Sequence, residues 1–246
     1  MSSGEISGGL SGMDHKNDCS VCGKELVYLD EDENTECFYC KDPYTSNVRC
    51  EAGHYVCDRC HSLAGNDLVE QYCIRSSSRE PLKMALDLMK HPQIKMHGPE
   101  HHFLVPAVLV TAYHNIKKTD AGRKRPDLKK ARQRAEKVLG GFCGFYGDCG
   151  AAVGTGIAVS ILTGATPLSR LEWRLSNLMT AKSLFTIANH GGPRCCKRNS
   201  FLAILEAAAF FQENLEITIP VNPDLKCEFH TLNKECLAGE CLFYGT

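Results

Sequence analysis

Residues 140–167, GGFCGFYGDCGAAVGTGIAVSILTGATP, decide how this chain folds, and residues 190–200, HGGPRCCKRNS, repeat their plan. In both segments cysteine stands just ahead of a small-residue or apolar run with helical character. The unpaired N–H groups and the dipole of a helix start favour a thiolate and lower the pKa of its thiol, which suits a metal cluster or a nucleophile. We therefore expect the two segments to share one centre. The cysteines at the predicted helix starts are Cys143, Cys149, Cys195 and Cys196.

The run after Cys149, residues 150–167, has glycine or alanine at nearly every second position. One face of such a helix has almost no side-chain bulk, so a neighbouring helix or a cofactor can approach its backbone closely. We therefore predict that this helix lies at the centre of its domain. Apolar residues at helical spacing predict further helices over residues 79–91, 103–113, 168–188 and 200–212.

The composition indicates a metal-binding protein of a reducing compartment. The chain has 246 residues, 15 cysteines and a formal net charge of -1, so it is not basic overall. The first 16 residues contain Glu5 and Asp14 and no apolar core of the signal-peptide kind, which predicts a cytoplasmic location where cysteine pairs bind metal more often than they form disulfides. The longest weakly polar run, residues 151–165, is shorter than the ~20 residues of a membrane helix, so no membrane span is expected.

The order of these segments predicts a mostly α-helical protein with a small metal module at its amino-terminal end. Residues 1–17 are rich in serine and glycine and are expected to be a disordered leader. Residues 18–62 are predicted to be a zinc-binding module, RING-like or of the zinc-ribbon type. Residues 63–246 are predicted to form an all-helical, cysteine-rich domain with a carboxy-terminal cysteine tail.

The predicted module contains four pairs of ligands at the spacing of zinc knuckles. Because Zn²⁺ takes four soft or borderline ligands, eight ligands predict two zinc ions. The segment CEAGHYVCDRCH resembles the central part of RING-type cross-brace modules. That resemblance implies one zinc at Cys19, Cys22, Cys50 and His54, and a second at Cys37, Cys40, Cys57 and Cys60. His61 is a possible substitute ligand, and two sequential ribbons remain an open alternative to the cross-brace.

A dense group of histidines precedes the central segment, in the run KMHGPEHHFLVPAVLVTAYHN. His101 and His102 stand at the start of a predicted buried helix and are the stronger candidates for acid–base residues or ligands of the shared centre. His97, Glu100 and His114 are weaker candidates. The alternative is that these side chains cap the helix and bind backbone.

Residues 117–137 are rich in lysine and arginine, and from Pro126 they continue as a charged helix. A solvated helix face is the favoured interpretation. The competing interpretation is a surface for nucleic acid or an acidic protein partner.

Residues 143–209 resemble the iron–sulfur L-serine dehydratase α-domain and the related cysteine desulfidases. The shared order is a cysteine, a small-residue helix ending in a Gly-x-Thr-Pro-like turn, an amphipathic helix, and Cys-x-x-Arg-Asn opening an alanine-rich helix. The resemblance implies that Cys149 and Cys195 ligate a 4Fe-4S cluster whose open iron binds a substrate hydroxyl or thiol. Arg198 and Asn199 are in register with the same motif.

Two features qualify that resemblance. The family has a further cluster cysteine in a Thr-Cys-Asp-Pro segment, and residues 187–194 contain none. Cys143, Cys196 or a tail cysteine would have to take its place. The whole chain also resembles an uncharacterised prokaryotic cysteine-rich family that shares GFCGFxGDCGAA and GGPRCCKRNS.

The tail cysteines, which either form a third zinc site or fold back to the central cluster, are Cys227, Cys236 and Cys241, with His230 among them.

Three functional hypotheses follow. The first is a 4Fe-4S enzyme that eliminates water or sulfide from a small substrate, or transfers sulfur, with His101, His102 or His190 as base. In this hypothesis Arg194, Lys197 and Arg198 hold a substrate carboxylate. The second is a non-enzymatic zinc protein that docks a protein or nucleic acid. The third is cysteine nucleophile chemistry at Cys195 or Cys196, activated by His190 and Arg194.

Overall fold

The computed structural model describes residue 19 and residues 24–37 and 42–245, with the side chains of residues 60–64 and 121 left aside. The predicted leader, Cys22 and Cys40 lie outside the described residues, as do the side chains of Cys60 and His61. Within the described residues the fold is mostly α-helical, as predicted, with one two-stranded sheet.

The amino-terminal part is an antiparallel hairpin of β1 (Leu26–Glu36) and β2 (Pro43–Cys50), whose register shifts between Tyr28 and Glu33. No residue of β1 is buried, and in β2 only Cys50 is. The hairpin therefore has almost no hydrophobic core of its own.

Eight helices follow in the described chain. Helix α1 begins at Asp58, so the module boundary predicted at residue 62 falls inside a helix rather than in a linker. The helices are α1 (Asp58–Arg75), α2 (Pro81–Met89), α3 (Glu100–Lys117), α4 (Ala121–Ala135), α5 (Phe142–Phe145), α6 (Gly150–Thr163), α7 (Leu171–Asn189) and α8 (Cys196–Leu215). None of these described helices has the length and apolar character needed to cross a bilayer.

Helix α6 packs against α3, α4, α7 and α8, which confirms its predicted central position. Its glycines allow this approach. A Cβ on Gly154 would lie 2.8 Å from Cδ of Pro106 and 3.1 Å from the carbonyl oxygen of His102. A Cβ on Gly150 would overlap the ring of His102. The bare face of α6 therefore fixes where α3 and its histidine stand.

The hydrophobic core lies among the helices and is built largely from α3 and α8. Phe103 of α3 and Phe201, Phe210 and Phe211 of α8 are almost fully buried. Cys73 is also completely buried, as expected of a structural thiol, and burial raises its pKa to about 12. Because a methylene removed from such a core leaves a cavity, this region supplies most of the stability of the fold.

Residues 217–245 form a tail without long helices that folds back onto α8. The backbone N–H of Cys227 donates to the carbonyl of Phe243 at 2.7 Å, which closes the tail on itself. The ring of Phe243 then packs edge-on against Phe201. The tail is thus part of the domain rather than an appendage.

Candidate metal and catalytic centre

A cleft of about 620 Å³ separates the hairpin from the helices. Its size lies in the range of small-molecule sites. Residues of the hairpin, of the α3 start and of the loop before α6 line it. The polar side chains and thiols on its walls include Tyr28, His54, Asp58, His97, His102, Cys143, Arg194 and Cys196.

Three thiols of the two cysteine segments lie at or near this cleft. Cys143 and Cys196 line it directly. Cys149 lies beside both, since the pKa of Cys149 is raised in part by Cys143 and that of Cys196 in part by Cys149. Nδ2 of Asn199 donates to Sγ of Cys149 at 3.5 Å and so joins the start of α6 to the first turn of α8. The convergence of the two cysteine segments is therefore present in the fold.

The cap positions agree with the sequence, but the direction of the thiol pKa does not. Cys149 is the N-cap of α6 and Cys195 the N-cap of α8. Burial, the largest effect, raises the pKa of Cys149 and of Cys195, and raises that of Cys196 to about 12. The expectation of lowered pKa values is wrong for the free thiols of Cys149, Cys195 and Cys196, because desolvation outweighs the helix-start field. This removes support from the cluster-free nucleophile at Cys195 or Cys196.

Two histidines of the cleft are oriented by hydrogen bonds. Nε2–H of His97 donates to Oδ1 of Asn233 at 3.1 Å and lies 3.5 Å from Glu235, and its buried Nδ1 has no partner among the described residues. Nδ1–H of His102 donates to the Val138 carbonyl at 2.9 Å, which leaves its Nε2 as the basic nitrogen. Burial lowers the pKa of both rings, so each is neutral and able to accept a proton.

His101 is fully buried next to the cleft without lining it. Its Nδ1–H donates to the Gly98 carbonyl at 3.1 Å, and its Nε2 has no hydrogen-bond partner in the described structure. Burial, followed by the charge of Lys197, lowers its pKa well below the usual value. The carboxyl of Glu100 packs on Gly98 and accepts from the Lys95 backbone N–H at 2.8 Å. Burial also raises the pKa of that carboxyl.

Of the three cations predicted to hold a carboxylate, only Arg194 is exposed in the cleft, where its Nη2 donates to the Tyr28 hydroxyl at 3.2 Å. Lys197 is buried, and its Nζ donates to the carbonyls of Met89 and Ile94, both at 3.1 Å. The Nη2 atom of Arg198 donates to the carbonyls that flank the Gly192–Pro193 bond, Gly191 at 2.7 Å and Pro193 at 2.9 Å. Lys197 and Arg198 therefore brace the loop and the core and do not line the cleft.

His190 is outside the cleft. Its Nδ1–H donates to the Thr186 carbonyl at 2.8 Å at the end of α7. His190 is therefore engaged with the backbone of its own helix and does not face the cleft.

The tail cysteines surround a second, much smaller pocket together with Cys195. This pocket, which we call the tail pocket, has a volume of about 20 Å³. Cys195 and Cys196 are consecutive, yet one lines the tail pocket and the other lines the cleft. The thiols around the tail pocket are Cys195, Cys227, Cys236 and Cys241.

A third group of ligands lies at the hairpin. The ligand atoms of Cys19, Cys50 and His54 all lie within 4.8 Å of one another, close enough to bind one metal ion. The backbone N–H of His54 donates to Sγ of Cys50 at 3.3 Å. Nearby, the backbone N–H of Cys57 donates to Sγ of Cys37 at 3.4 Å. The cross-brace pairing implies the same division, with Cys19, Cys50 and His54 in one site and Cys37 and Cys57 in the other.

Much of the basic segment 117–137 is occupied by contacts within the chain. Arg132 pairs with Asp67 at 2.8 Å, with Glu70 at 2.6 Å and with Glu136 at 2.9 Å. Nζ of Lys124 donates to the Ser76 carbonyl at 2.9 Å. These contacts tie α4 to the helices beside it.

Comparison with known proteins places residues 69–244, nearly all of the helical part and the tail, within the model of a family of unknown function, DUF5714. The chain belongs to the DUF5714 family. The matched DUF5714 region contains Cys143, Cys149 and Cys196 and the four cysteines of the tail pocket, and it begins after the hairpin. Neither the curated proteins nor the solved structures yield a significant match. The likeness to L-serine dehydratases stays a prediction.

The sequence underestimated His97 and did not identify Tyr28. His97 acquires its orientation from Asn233 and Glu235 of the tail, which lie far along the chain. Tyr28 belongs to the hairpin and reaches Arg194 only across the cleft. No local sequence motif predicts that either side chain lines the cleft. The position of His97 beside the Gly-Pro turn at residues 98–99 was the one feature of the sequence that pointed to it.

Proposed function

We propose that this protein is a metal-cluster enzyme that eliminates water or sulfide from a small hydroxy- or mercapto-acid, or transfers sulfur, in the cleft. The observation that carries the proposal is that Cys143 and Cys196 line a cleft of ligand size, while Asn199 of α8 donates to the sulfur of Cys149 at the start of α6. Three cysteines are a donor set suited to a 4Fe-4S cluster with one open iron. Cys195, which the resemblance assigned to the cluster, is replaced in this proposal by Cys196.

The donor set fits such a cluster in chemistry as well as in number. The three cysteines are partly exposed, which would leave an open iron accessible to a substrate, and Asn199 already donates to the sulfur of Cys149. When bound, the cluster would supply a Lewis acid for the leaving group of the substrate.

The protein's own residues supply the remaining steps. Arg194 is an exposed cation of the cleft and would hold a substrate carboxylate. His97 has its Nε2–H engaged by Asn233, so its neutral Nδ1 would take the substrate proton. His102, held through its Nδ1–H by Val138, is the second candidate base.

For the hairpin we propose structural zinc. The grouping of Cys19, Cys50 and His54 supports one cross-braced zinc, with Cys22 as its fourth ligand. Cys37 and Cys57 would form half of the second zinc site, with Cys40 and Cys60 completing it.

The test is the metal content of the full chain purified without oxygen. The expected result is a coloured protein with about four iron atoms and matching sulfide per chain. Cys149→Ala should lose iron and sulfide, whereas Cys73→Ala, a matched change at a buried thiol of the core, should retain both. A colourless protein that binds only zinc would end the proposal.

Catalysis requires a further measurement. With a hydroxy- or mercapto-acid that the wild type converts, His97→Gln should keep its iron content but lose most turnover, and Arg194→Met should mainly raise KM. Unchanged kcat in His97→Gln would remove that residue from the mechanism.

Docking of an acidic partner or nucleic acid through residues 117–137 is the second candidate. It is supported by exposed cations on α4, such as Arg123, Arg125 and Lys129. A gel shift of RNA or DNA that weakens with added salt would favour it, and no shift at low salt would count against it.

A further inference from the structure

Four cysteine thiols converge on the tail pocket from separate parts of the chain. Cys195 comes from the start of α8, and the other three come from the tail. All four side chains line the same pocket of about 20 Å³. Four thiols in one place satisfy the ligand count of a closed structural metal site.

Backbone N–H groups already point at three of these sulfurs. The N–H of Phe229 donates to Sγ of Cys227 at 3.3 Å, and the N–H of Ala238 donates to Sγ of Cys236 at 3.4 Å. Each donor lies two residues after its cysteine. The N–H of Arg198 donates to Sγ of Cys195 at 3.5 Å. Such bonds stabilise a sulfur that carries charge, and therefore a metal-bound thiolate more than a neutral thiol.

The charge around the pocket also fits. Four thiolates and one divalent ion carry a net charge of about -2. The buried cations beside them are Lys197, whose Nζ lies 4.7 Å from the centre of the Phe229 ring, and Arg198, which lines the pocket. A buried lysine is costly without a compensating negative charge. A tetrathiolate centre supplies that compensation in addition to Glu100.

We propose that Cys195, Cys227, Cys236 and Cys241 form a closed structural zinc site that clamps the tail to the start of α8. The site is distinct from the cleft centre and does not depend on the function proposed there. Cys195 thereby belongs to the tail, whereas its neighbour Cys196 belongs to the cleft.

The size of the pocket favours one ion over a cluster. A volume of about 20 Å³ holds one water molecule or one ion, and a four-iron core needs far more room. Among the described residues, only Cys19, Cys50 and His54 bring three ligand atoms within 4.8 Å of one another. Zinc binding therefore requires the four sulfurs to draw in to about 3.8 Å, the spacing set by Zn–S bonds of about 2.3 Å. Three of them lie in the tail, outside the long helices, where a change of this size does not require a helix to shift.

The experiment compares zinc and iron per chain in the full-length wild type, Cys195→Ser, Cys236→Ser, the double variant and Cys73→Ser, all purified without oxygen. Each single ligand variant should lose one zinc equivalent. The double variant should lose no more than either single one, because both residues serve the same ion. The control Cys73→Ser should lose none, and iron should stay at the wild-type level in every variant.

Three results would overturn the proposal. Cys236→Ser could retain all its zinc, the double variant could lose two equivalents, or the ligand variants could lose iron and sulfide in place of zinc. The metal that is lost separates this test from that of the cleft, since Cys149→Ala is expected to remove iron alone.

A second measurement serves if a variant fails to fold. Lys226 and Lys234 are exposed trypsin sites in the tail. In the wild type, a zinc chelator should accelerate cleavage after both lysines several-fold, and added zinc should restore protection. Equal cleavage rates with and without the chelator would contradict a zinc clamp.

Discussion

At the scale of single residues, burial decides the chemistry of the polar side chains around the start of α8. It raises the pKa of Cys196 to about 12 and lowers that of Lys197 to about 8. Both shifts disfavour the charged form, which is the effect of taking an ion out of water. A metal at the thiols would reverse the balance, because coordination requires the thiolate. At neutral pH and without a metal, the Cys196 thiol is therefore neutral, whereas Lys197 keeps most of its charge.

His114, at the other end of α3, allows a clean test of such a shift. Its Nε2 lies 3.1 Å from Asp127, yet burial outweighs that contact and lowers its pKa. The unfolded chain, with a histidine pKa of about 6.5, then takes up the proton before the folded chain does. The free energy of unfolding should fall as the pH drops below about 6.5, until the lower pKa of the folded state is reached.

Urea unfolding between pH 7.5 and 5.5 measures this effect. The slope in His114→Gln should be shallower than in the wild type by up to about 1.4 kcal/mol per pH unit. The difference between the two slopes cancels acid effects elsewhere, including metal release. Equal slopes would show that His114 titrates alike in both states.

At the scale of elements, the contact of α6 with α3 positions both the cysteines and the histidines. At Gly154 the backbone of α6 packs against two rigid groups of α3, the ring of Pro106 and the backbone of His102. A wider separation would move His102 away from Gly150 and thus from the start of α6. The glycines of α6 are therefore part of the site without touching it.

Gly154→Ala should destabilise the protein by about 1–3 kcal/mol, because a rigid proline ring leaves no space for the methyl group. Gly144→Ala is the matched control in α5. A Cβ there meets nothing within 4 Å, and alanine is the better helix former, so its effect should be neutral or slightly stabilising. Urea unfolding measures both, and equal losses would contradict the packing argument.

Arg132 joins α4 to α1 through its carboxylate partners and is only 17% exposed in its side chain. Arg132→Ala should cost about 1–2 kcal/mol of unfolding free energy. Arg125→Ala, at an exposed position on the same helix, should change it by less than about 0.5 kcal/mol. If the two substitutions cost the same, the basic helix is not held by this network.

At the scale of the whole molecule, stability is divided unequally. The continuous hydrophobic core includes helices and tail, whereas the hairpin buries little more than its cysteines. A segment with so little apolar burial depends on its ligands to stay folded.

Metal removal should therefore loosen the hairpin first. After chelation, amide hydrogen exchange should rise over residues 26–50 by at least tenfold, while α3 and the middle of α8 stay protected. Mass spectrometry of peptides from exchanged samples measures this. An equal loss of protection in α3 would contradict the conclusion that the hairpin depends on metal while the helical core does not.

The sequence contained most of this architecture but not its side-chain directions. The small-residue run predicted α6 and its central place, and the residues before each run predicted the caps at Cys149 and Cys195. Strand β1 escaped prediction because LVYLDEDENTE carries five acidic residues and forms only by pairing with β2. Cys195 and Cys196 point in opposite directions because Cys195 is extended, with φ -139° and ψ 104°, whereas Cys196 is the first residue of α8. The sequence does not specify these backbone angles.

The junction of these two cysteines constrains the length of the chain. The loop ahead of Cys195 can gain or lose a residue without altering the relation of the two thiols. An insertion between them would rotate α8 by about 100° relative to its cap and displace a ligand from both faces of the molecule at once. One peptide bond therefore sets the register of two separate pockets, and homologous chains should vary in length on either side of it but not within it.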